Sequence, residues 1–382
     1  MRNFTYYNPT KVVFGKGSIK KLSKLLPESK IMLVYGGGSI KHNGIYQEVL
    51  EQLEGHQWTE FSGVEANPEF DTLMQAVEHA KANDVEFILA VGGGSVIDGC
   101  KFIAAAIPYD NDPWEILAGG GKVASAVGLG CILTLPATGT ETNTASVITR
   151  RKLGKKLPFD SEHVRPKFAI LDPEATYSLP ERQLTNGVVD AFVHVMEQYL
   201  TYPVGATVQD RFAEAILNNL IEIGPQVLLS QDYMLRANLM WNATQALNGL
   251  IGVGVPQDWS THMIGHELTA LHNLDHAVTL AIILPRVMHH QKEHKREKLL
   301  QYAERVWGLS RYDEESAINL AIEKTEQFFQ QMGIKTKLSE YGIAPDVADN
   351  VARRLQENGF IKLGEHQNIT PTEAREIVAA SV

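Results

Sequence analysis

Asp190 and five histidines between His194 and His276 stand at spacings that suit a metal ion. Asp190 and His194 stand four residues apart in a helical-looking run, so both project from one helix face, about 6 Å apart along its axis. His262 and His266 repeat that spacing on a second apparent helix; His272 follows, and His276 comes after a short polar break. Imidazole nitrogens with one carboxylate suit a borderline divalent cation such as zinc or ferrous iron, and that implies Lewis-acid chemistry. A single histidine is more often a core or surface residue than a ligand, and His79, His163, His289 and His290 are read that way. Asp190 with His194 alone is equally an intrahelical ion pair. Clustering favours the metal but leaves the ligands open among six residues. Pairing His262 with His266 would imitate the H-E-x-x-H proteases, yet Glu267 follows the second histidine, so that motif is not met.

A second chemistry lies nearer the N-terminus. Gly36-Gly37-Gly38-Ser39 and Gly92-Gly93-Gly94-Ser95 each follow an apolar, strand-like run, and the second opens a helix of small apolar residues. Glycine lets the backbone approach a ligand, and the free N–H groups of a helix N-terminus favour an anion. One such turn is as readily a plain strand–helix connection; two at the ends of two strands point to a dinucleotide pyrophosphate. A third loop, Pro136 to Thr142, is dense in hydroxyls suited to phosphate, ribose or a nicotinamide amide. Neither turn is G-x-G-x-x-G. Gly36 to Lys41 lacks the acidic residue that would bind an NAD ribose, while Ser39 and Lys41 suit a 2′-phosphate, so NADPH is expected over NADH.

The elements that must position these groups fall into two textures. Ile31 to Tyr35, Glu86 to Val91, Cys131 to Leu135 and Phe168 to Leu171 read as strands buried on both faces, with Val12 to Phe14 more peripheral. Helices over Ile45 to Leu53, Phe70 to Ala82 and Ser95 to Ala106 alternate with them, which predicts a doubly wound parallel α/β domain. Beyond Pro180 amphipathic helices take over: Gly187 to Leu200, Gln209 to Ile223, Leu235 to Asn248, Glu297 to Val306 and Ala317 to Met332. Thr370-Pro371-Thr372-Glu373 has the form of a capping box opening a last helix. The expected domains are residues 1–182 and 183–382, as 382 residues exceed what one core usually supports.

The formal charge of −10 argues against a nucleic-acid partner, because phosphate-backbone binding needs a basic patch. No apolar run is long enough to span a bilayer, and the N-terminus lacks the apolar core of a signal peptide. Cys100 and Cys131 lie in apolar stretches and read as buried free thiols of a cytoplasmic protein.

Asp190-x-x-x-His194, His262-x-x-x-His266, His276, Gly92-Gly93-Gly94-Ser95-x-x-Asp98 and Pro136-Ala137-Thr138-Gly139-Thr140-Glu141 together resemble the iron-containing (group III) alcohol dehydrogenases, over essentially the whole chain. Within that family the runs N-G-V-V-D-A-F-V-H, G-V-P-Q-D-W and H-E-L-T-A are similar to the NADPH-dependent aldehyde reductases of the butanol-dehydrogenase branch. Thr140 and Thr142 depart mildly, since relatives often have serine there.

The resemblance implies a dehydroquinate-synthase-like α/β nucleotide-binding domain, an all-helical metal-binding domain, and an active site in the cleft between them. It implies metal ligands Asp190, His194, His262 and His276. His266 matches a non-ligand histidine near the nicotinamide and is expected to carry a proton, and His272 has no assigned role. It implies cofactor contacts at Gly37, Gly38, Ser39, Gly93, Gly94, Ser95, Asp98, Thr134, Thr138, Thr140 and Lys156, with Lys155 an alternative to Lys156. The expected activity is hydride transfer between NADP(H) and short to medium aldehydes or primary alcohols, in a homodimer with zinc favoured over iron. The same fold also serves glycerol-dehydrogenase-like and dehydroquinate-synthase-like enzymes, and tight NAD use is disfavoured by the missing acidic residue.

Overall fold

A computed structural model describes residues 1–382. The strands are β1 (Lys11–Phe14), β2 (Ile31–Tyr35), β3 (Trp58–Ser62), β4 (Phe87–Gly93), β5 (Gly128–Leu135), β6 (Ala145–Arg150), β7 (Lys155–Asp160) and β8 (Phe168–Leu171). Six of them form a parallel sheet in the order β1-β8-β5-β4-β2-β3. Central strands are covered on both faces, which is why their sequences run almost without polar residues. Met32, Val34, Ile88 and Ala90 enter one core, with α2 (Phe70–Ala82) and α3 (Gly94–Ala106) on that side. Ile31, Leu33, Tyr35, Leu89 and Val91 enter the other, which is closed by α1 (Ile45–Gln52). Each fully buried aliphatic side chain contributes about 1.5–3 kcal/mol, so the strand pattern alone favours this burial strongly.

Two parts of this unit differ from expectation. β3 is absent from the strands read in the sequence: it is an edge strand, partly exposed along its length, and Thr59 and Glu60 break its apolar run. Strands β6 and β7, also absent from the strands read in the sequence, form an antiparallel hairpin pairing Thr149 with Lys156, turned by Gly154 at φ +58°. Its cationic sequence suits a hairpin because the charged side chains need only one wet face.

The chain runs from β2 through α1 to β3 on one side, but from β4 through α3 to β5 on the other. Strand order therefore reverses between the adjacent strands β2 and β4, and both glycine turns leave the sheet there. In open α/β sheets ligands bind at this kind of switch point.

After Pro180 no strand occurs. The remaining helices are α4 (Glu181–Tyr199), α5 (Thr207–Leu229), α6 (Tyr233–Ala246), α7 (Ser260–His272), α8 (His276–His290), α9 (Arg296–Arg305), α10 (Glu314–Gln331), α11 (Val347–Glu357) and α12 (Pro371–Ala379). The capping box at Thr370 forms: the Thr370 hydroxyl accepts from Thr372 N at 3.2 Å, and Glu373 accepts from Thr370 N at 2.9 Å. Compact units comprise residues 7–180 with 231–244, and residues 1–6 with 181–230 and 245–382. A single cut between residues 182 and 183 does not express this exchange of segments. Most of α6 belongs to the α/β unit because its side chains find partners there. Arg236 donates to the Thr176 carbonyl at 3.2 Å, and the Trp241 ring meets Phe14 edge-on at 5.9 Å. No helix is long and apolar enough to cross a membrane, and Cys100 and Cys131 are buried free thiols.

Candidate metal centre and nucleotide turns

α4 is the central element of the helical unit, with every residue from Gly187 to Tyr199 buried. A helix so enclosed can carry Asp190 and His194 only if something answers their polarity. The answer comes from α7 and α8. Ligand atoms of Asp190, His194 and His262 lie within 4.8 Å of one another, all three residues being buried. His194 Nδ1 is 3.4 Å from Asp190 Oδ1, and His276 Nε2 is 3.8 Å from the same oxygen. Bonds of about 2.1 Å to a tetrahedral zinc-like ion would separate ligand atoms by about 3.4 Å, so this donor set fits a divalent cation.

Local features bring the helices together. Asn273, at φ +54°, ends α7, and the chain re-enters a helix at His276. Asp275, just before it, is anchored to α4 by Asn186 at 2.9 Å and Arg182 at 3.1 Å. α7 and α8 approach closely at Gly265, where a Cβ would stand 2.8 Å from Thr279 Oγ1. Trp259 precedes α7 at φ +66°, and its ring stacks edge-on against His262 at 5.1 Å.

His266 lies one turn beyond His262, buried, with its ring 5.3 Å from that of His276. It borders the trio without being part of it. His272 is exposed in the last turn of α7, outside the cluster. Glu267 faces elsewhere: Arg354 donates to it at 2.5 Å and Asn358 at 2.8 Å, tying α7 to α11.

A residue outside the expected set completes the centre. Glu197, one turn after His194 on α4, accepts from His262 Nδ1 at 3.0 Å, from His262 N at 3.0 Å and from Trp259 N at 3.0 Å. Burial and the neighbouring Asp258 carboxylate push the Glu197 carboxyl well up, whereas the backbone donors and Lys295 act the other way. Lys295 is itself buried between Asp258 at 2.8 Å and Glu365 at 2.6 Å, and these partners hold its ammonium charged against the cost of burial. The H-x-x-E spacing of His194 and Glu197 is the signal that would have found Glu197.

In the α/β unit both turns have the construction that a phosphate needs. α3 starts at Gly94 with no side-chain cap on its N-terminal N–H groups. Gly38 sits at φ +95°, and neither Gly37 nor Gly38 would place a Cβ within 4 Å of anything, so that turn is open. Gly94 is required by close packing: a Cβ there would stand 2.6 Å from Thr138 Oγ1. The three strand ends bearing Gly37–Ser39, Gly93–Ser95 and Thr134–Thr140 thus meet at the switch point. Ser95 Oγ accepts from Asn67 N at 3.3 Å, and Asn67 Oδ1 accepts from Lys156 Nζ at 2.9 Å, so Ser95 and Lys156 are linked through a residue the sequence reading passed over. Lys156, not Lys155, makes this contact.

Asp98, expected to contact the cofactor, lies on α3. Its carboxylate accepts from the Thr140 hydroxyl at 2.5 Å and from Val147 N at 3.0 Å, so both oxygens are engaged within the protein. Lys101, wholly buried one turn later, donates to Thr140 Oγ1 at 2.7 Å, Asn143 Oδ1 at 2.9 Å and the Ala145 carbonyl at 2.7 Å. Together they lock the hydroxyl-rich loop to α3. Burial depresses the Lys101 ammonium to about 8 and raises Asp98, each opposed by the other's charge. A lone lysine inside the small-residue run of α3 was the overlooked signal.

The acidic residue missing from the first turn arrives from β3. Glu60 lies 3.2 Å from Lys41 Nζ, and the hydroxyls of Tyr35 and Tyr46 donate to it. These donors outweigh partial burial and hold Glu60 ionised, and hydrogen bonds to Tyr35 and Glu60 in turn raise the Lys41 ammonium.

Comparison with known proteins agrees over both units. The model of iron-containing alcohol dehydrogenase matches residues 9–173, and that of the Fe-containing alcohol dehydrogenase family, C-terminal, matches residues 184–381. The NADPH-dependent aldehyde reductase YqhD of Escherichia coli is 53% identical, with 100% of each chain covered. Its crystal structure matches with a TM-score of 0.98, 52% identity, and coverage of 100% of this chain and 99% of that one. The NADP-dependent alcohol dehydrogenase 3 of Entamoeba histolytica is 42% identical over 97% of this chain and 96% of its own. The crystal structure of an NADH-dependent butanol dehydrogenase A from Thermotoga maritima shares 33% identity at a TM-score of 0.96, over 100% of this chain and 99% of that one.

Proposed function

The chain belongs to the iron-containing alcohol dehydrogenase family, and from that premise we propose that it is an NADPH-dependent aldehyde reductase acting on short to medium aliphatic aldehydes. The observation that carries the reading is the buried convergence of Asp190, His194 and His262, with His276 beside them, in a chain that also ends two adjacent parallel strands in glycine turns. Asp190, His194, His262 and His276 would hold one divalent cation. When bound, that cation supplies Lewis-acid polarisation of a carbonyl oxygen, and NADPH supplies the hydride. Zinc is favoured over iron as a reading of the branch resembled, and metal analysis of protein purified without added metal decides it.

The chain's own groups divide the remaining work. The N–H groups opening α3 and the Gly36–Gly38 turn bind the pyrophosphate, with Ser95, Thr134, Thr138, Thr140 and Lys156 placing the rest of the cofactor. Asp98 acts through Thr140, holding the hydroxyl loop in place. Ser39 and Lys41 would be placed for the adenine ribose and suit a 2′-phosphate, and the NADP-dependence stated for two relatives above 40% identity supports that preference. Because Glu60 already pairs with Lys41, the charge offered to the phosphate is shared rather than whole. His266, an imidazole outside the ligand trio, carries the proton to the product alkoxide. A homodimer is the assembly the family resemblance supports, and the two buried thiols suit a cytoplasmic setting.

The test follows absorbance at 340 nm with NADPH and butanal, before and after chelator treatment. Aldehyde-dependent oxidation that the chelator abolishes and added zinc or iron restores supports the reading. Failure across a broad aldehyde panel after metal is restored refutes it.

A further inference from the structure

Glu197 shares α4 with Asp190 and His194, and its carboxylate bonds to α7. One oxygen, Oε1, accepts from both the backbone N and the ring Nδ1 of His262, at 3.0 Å each; Oε2 accepts from Trp259 N at 3.0 Å. The backbone carbonyl of Glu197 also accepts from Asp258 N at 2.8 Å. Glu197 and His262 are both buried, so neither exchanges these bonds for water. An imidazole whose Nδ1 donates to a carboxylate keeps its Nε2 lone pair free, and the same bond fixes the plane of the ring. The ring of His262 is bonded to a carboxylate that lies outside the ligand set. Asp190 and His194 come from α4 itself, whereas His262 must be aimed from a different helix.

We propose that Glu197 is the positioning residue of the metal centre: it fixes the Nδ1–H tautomer of His262 and aims Nε2 at the cation. α4 then carries three functional groups, two ligands and the anchor for a third ligand delivered by α7. The inference rests on the ligand set proposed above, and its failure is separable from failure of that set.

The experiment measures release of zinc from the loaded full-length protein to a chromogenic chelator, in wild type, Glu197→Gln and Glu365→Gln. Glu365→Gln loosens the buried Lys295 group behind the centre without touching His262, and so reports generalised loosening. Release from Glu197→Gln is expected to be about 10- to 100-fold faster than from wild type, with Glu365→Gln near wild type. In the cobalt-substituted protein, Glu197→Gln is expected to alter the visible ligand-field spectrum. An unchanged release rate, or equal acceleration in both variants, overturns the positioning role. Wild type that retains no zinc or cobalt overturns the ligand set instead. Should Glu197→Gln fail to fold, nitrogen-15 histidine spectra of zinc-loaded wild type decide the matter, with His262 assigned by its loss in His262→Gln. An Nδ1–H tautomer sustains the proposal and an Nε2–H tautomer overturns it.

Discussion

Gly265 offers a perturbation whose size can be worked from the structure. It lies in α7 between His262 and His266, where a Cβ would stand 2.8 Å from Thr279 Oγ1 on α8. Ordinary contact begins near 3.4 Å, so Gly265→Ala forces the helices apart by about 0.6 Å, the difference between those figures. Thr279 cannot simply rotate away, because its hydroxyl donates to the His276 carbonyl at 2.8 Å. Metal–ligand distances tolerate about 0.2 Å, so the gap between His262 and His276 would exceed what one ion can bridge unstrained. In the helix itself, alanine is favoured over glycine by roughly 0.5–1 kcal/mol. The expected signature is therefore divergent: metal release at least about tenfold faster and lower turnover, with the metal-free protein melting within about 4 °C of wild type. Gly265→Ala with Thr279→Ala removes the clashing oxygen and should recover most of the metal retention. Wild-type retention and turnover in the single variant would refute the claim that this close approach sets the geometry of the centre.

Gly94→Ala drives a Cβ to 2.6 Å from Thr138 Oγ1 and should raise the KM for NADPH without changing metal content. Lys41→Ala should weaken NADPH about three- to tenfold and leave NADH unchanged, as steady-state KM values would report; equal loss for both would place Lys41 away from the 2′-phosphate. His266→Phe should retain metal but lower turnover and flatten its pH profile; full turnover with an unaltered profile removes the proton role. Glu326 receives Arg286 through two bonds of 2.7 Å and the Thr336 hydroxyl at 2.7 Å, which together outweigh its burial and depress its carboxyl. A depressed carboxyl stabilises the fold above its ordinary value of 4.5 and ceases to as pH falls through its folded value. Glu326→Gln should thus cost on the order of 1–2 kcal/mol at pH 7, and less below pH 4, in thermal or denaturant unfolding.

What was legible in the chain follows from how far each signal reaches. The central strands could be read because burial on both faces demands unbroken apolar runs, as in Ile31–Tyr35 and Phe168–Leu171, whose observed limits match those read. β3 could not, since an edge strand need satisfy only its partner β2 and tolerates Thr59 and Glu60. The β6–β7 hairpin escaped because Arg151 to Lys156 carries loop-like composition, and only pairing with residues 145–150 reveals its register. α6 has an ordinary helical sequence that says nothing about which unit it joins; Thr176, Phe14 and Glu141 decide that from far away in the chain.

The site divides the same way. Asp190 and His194 were visible because an i, i+4 pair on one helix is a local relation. The choice among His262, His266 and His276 was not, because equal spacing offers His262 and His266 alike to the same helix face. In space they part company: His262 joins the buried trio, while His266 turns towards His276 and lies beside it. The groups that were missed share one property. Glu197, Lys101, Asn67 and Glu60 each act on a residue far away in sequence or on another element, so that, apart from the H-x-x-E spacing of Glu197, no spacing rule announces them. Yet burial leaves a trace. A glutamate and a lysine buried inside helices cannot be left unpaired at reasonable cost, so each implies a partner before the partner is known. For Glu197 that partner is the ring of His262, and for Lys101 it is the loop that carries Thr140. Charged residues in the buried stretches of α3 and α4 were therefore as informative about this site as the histidines themselves.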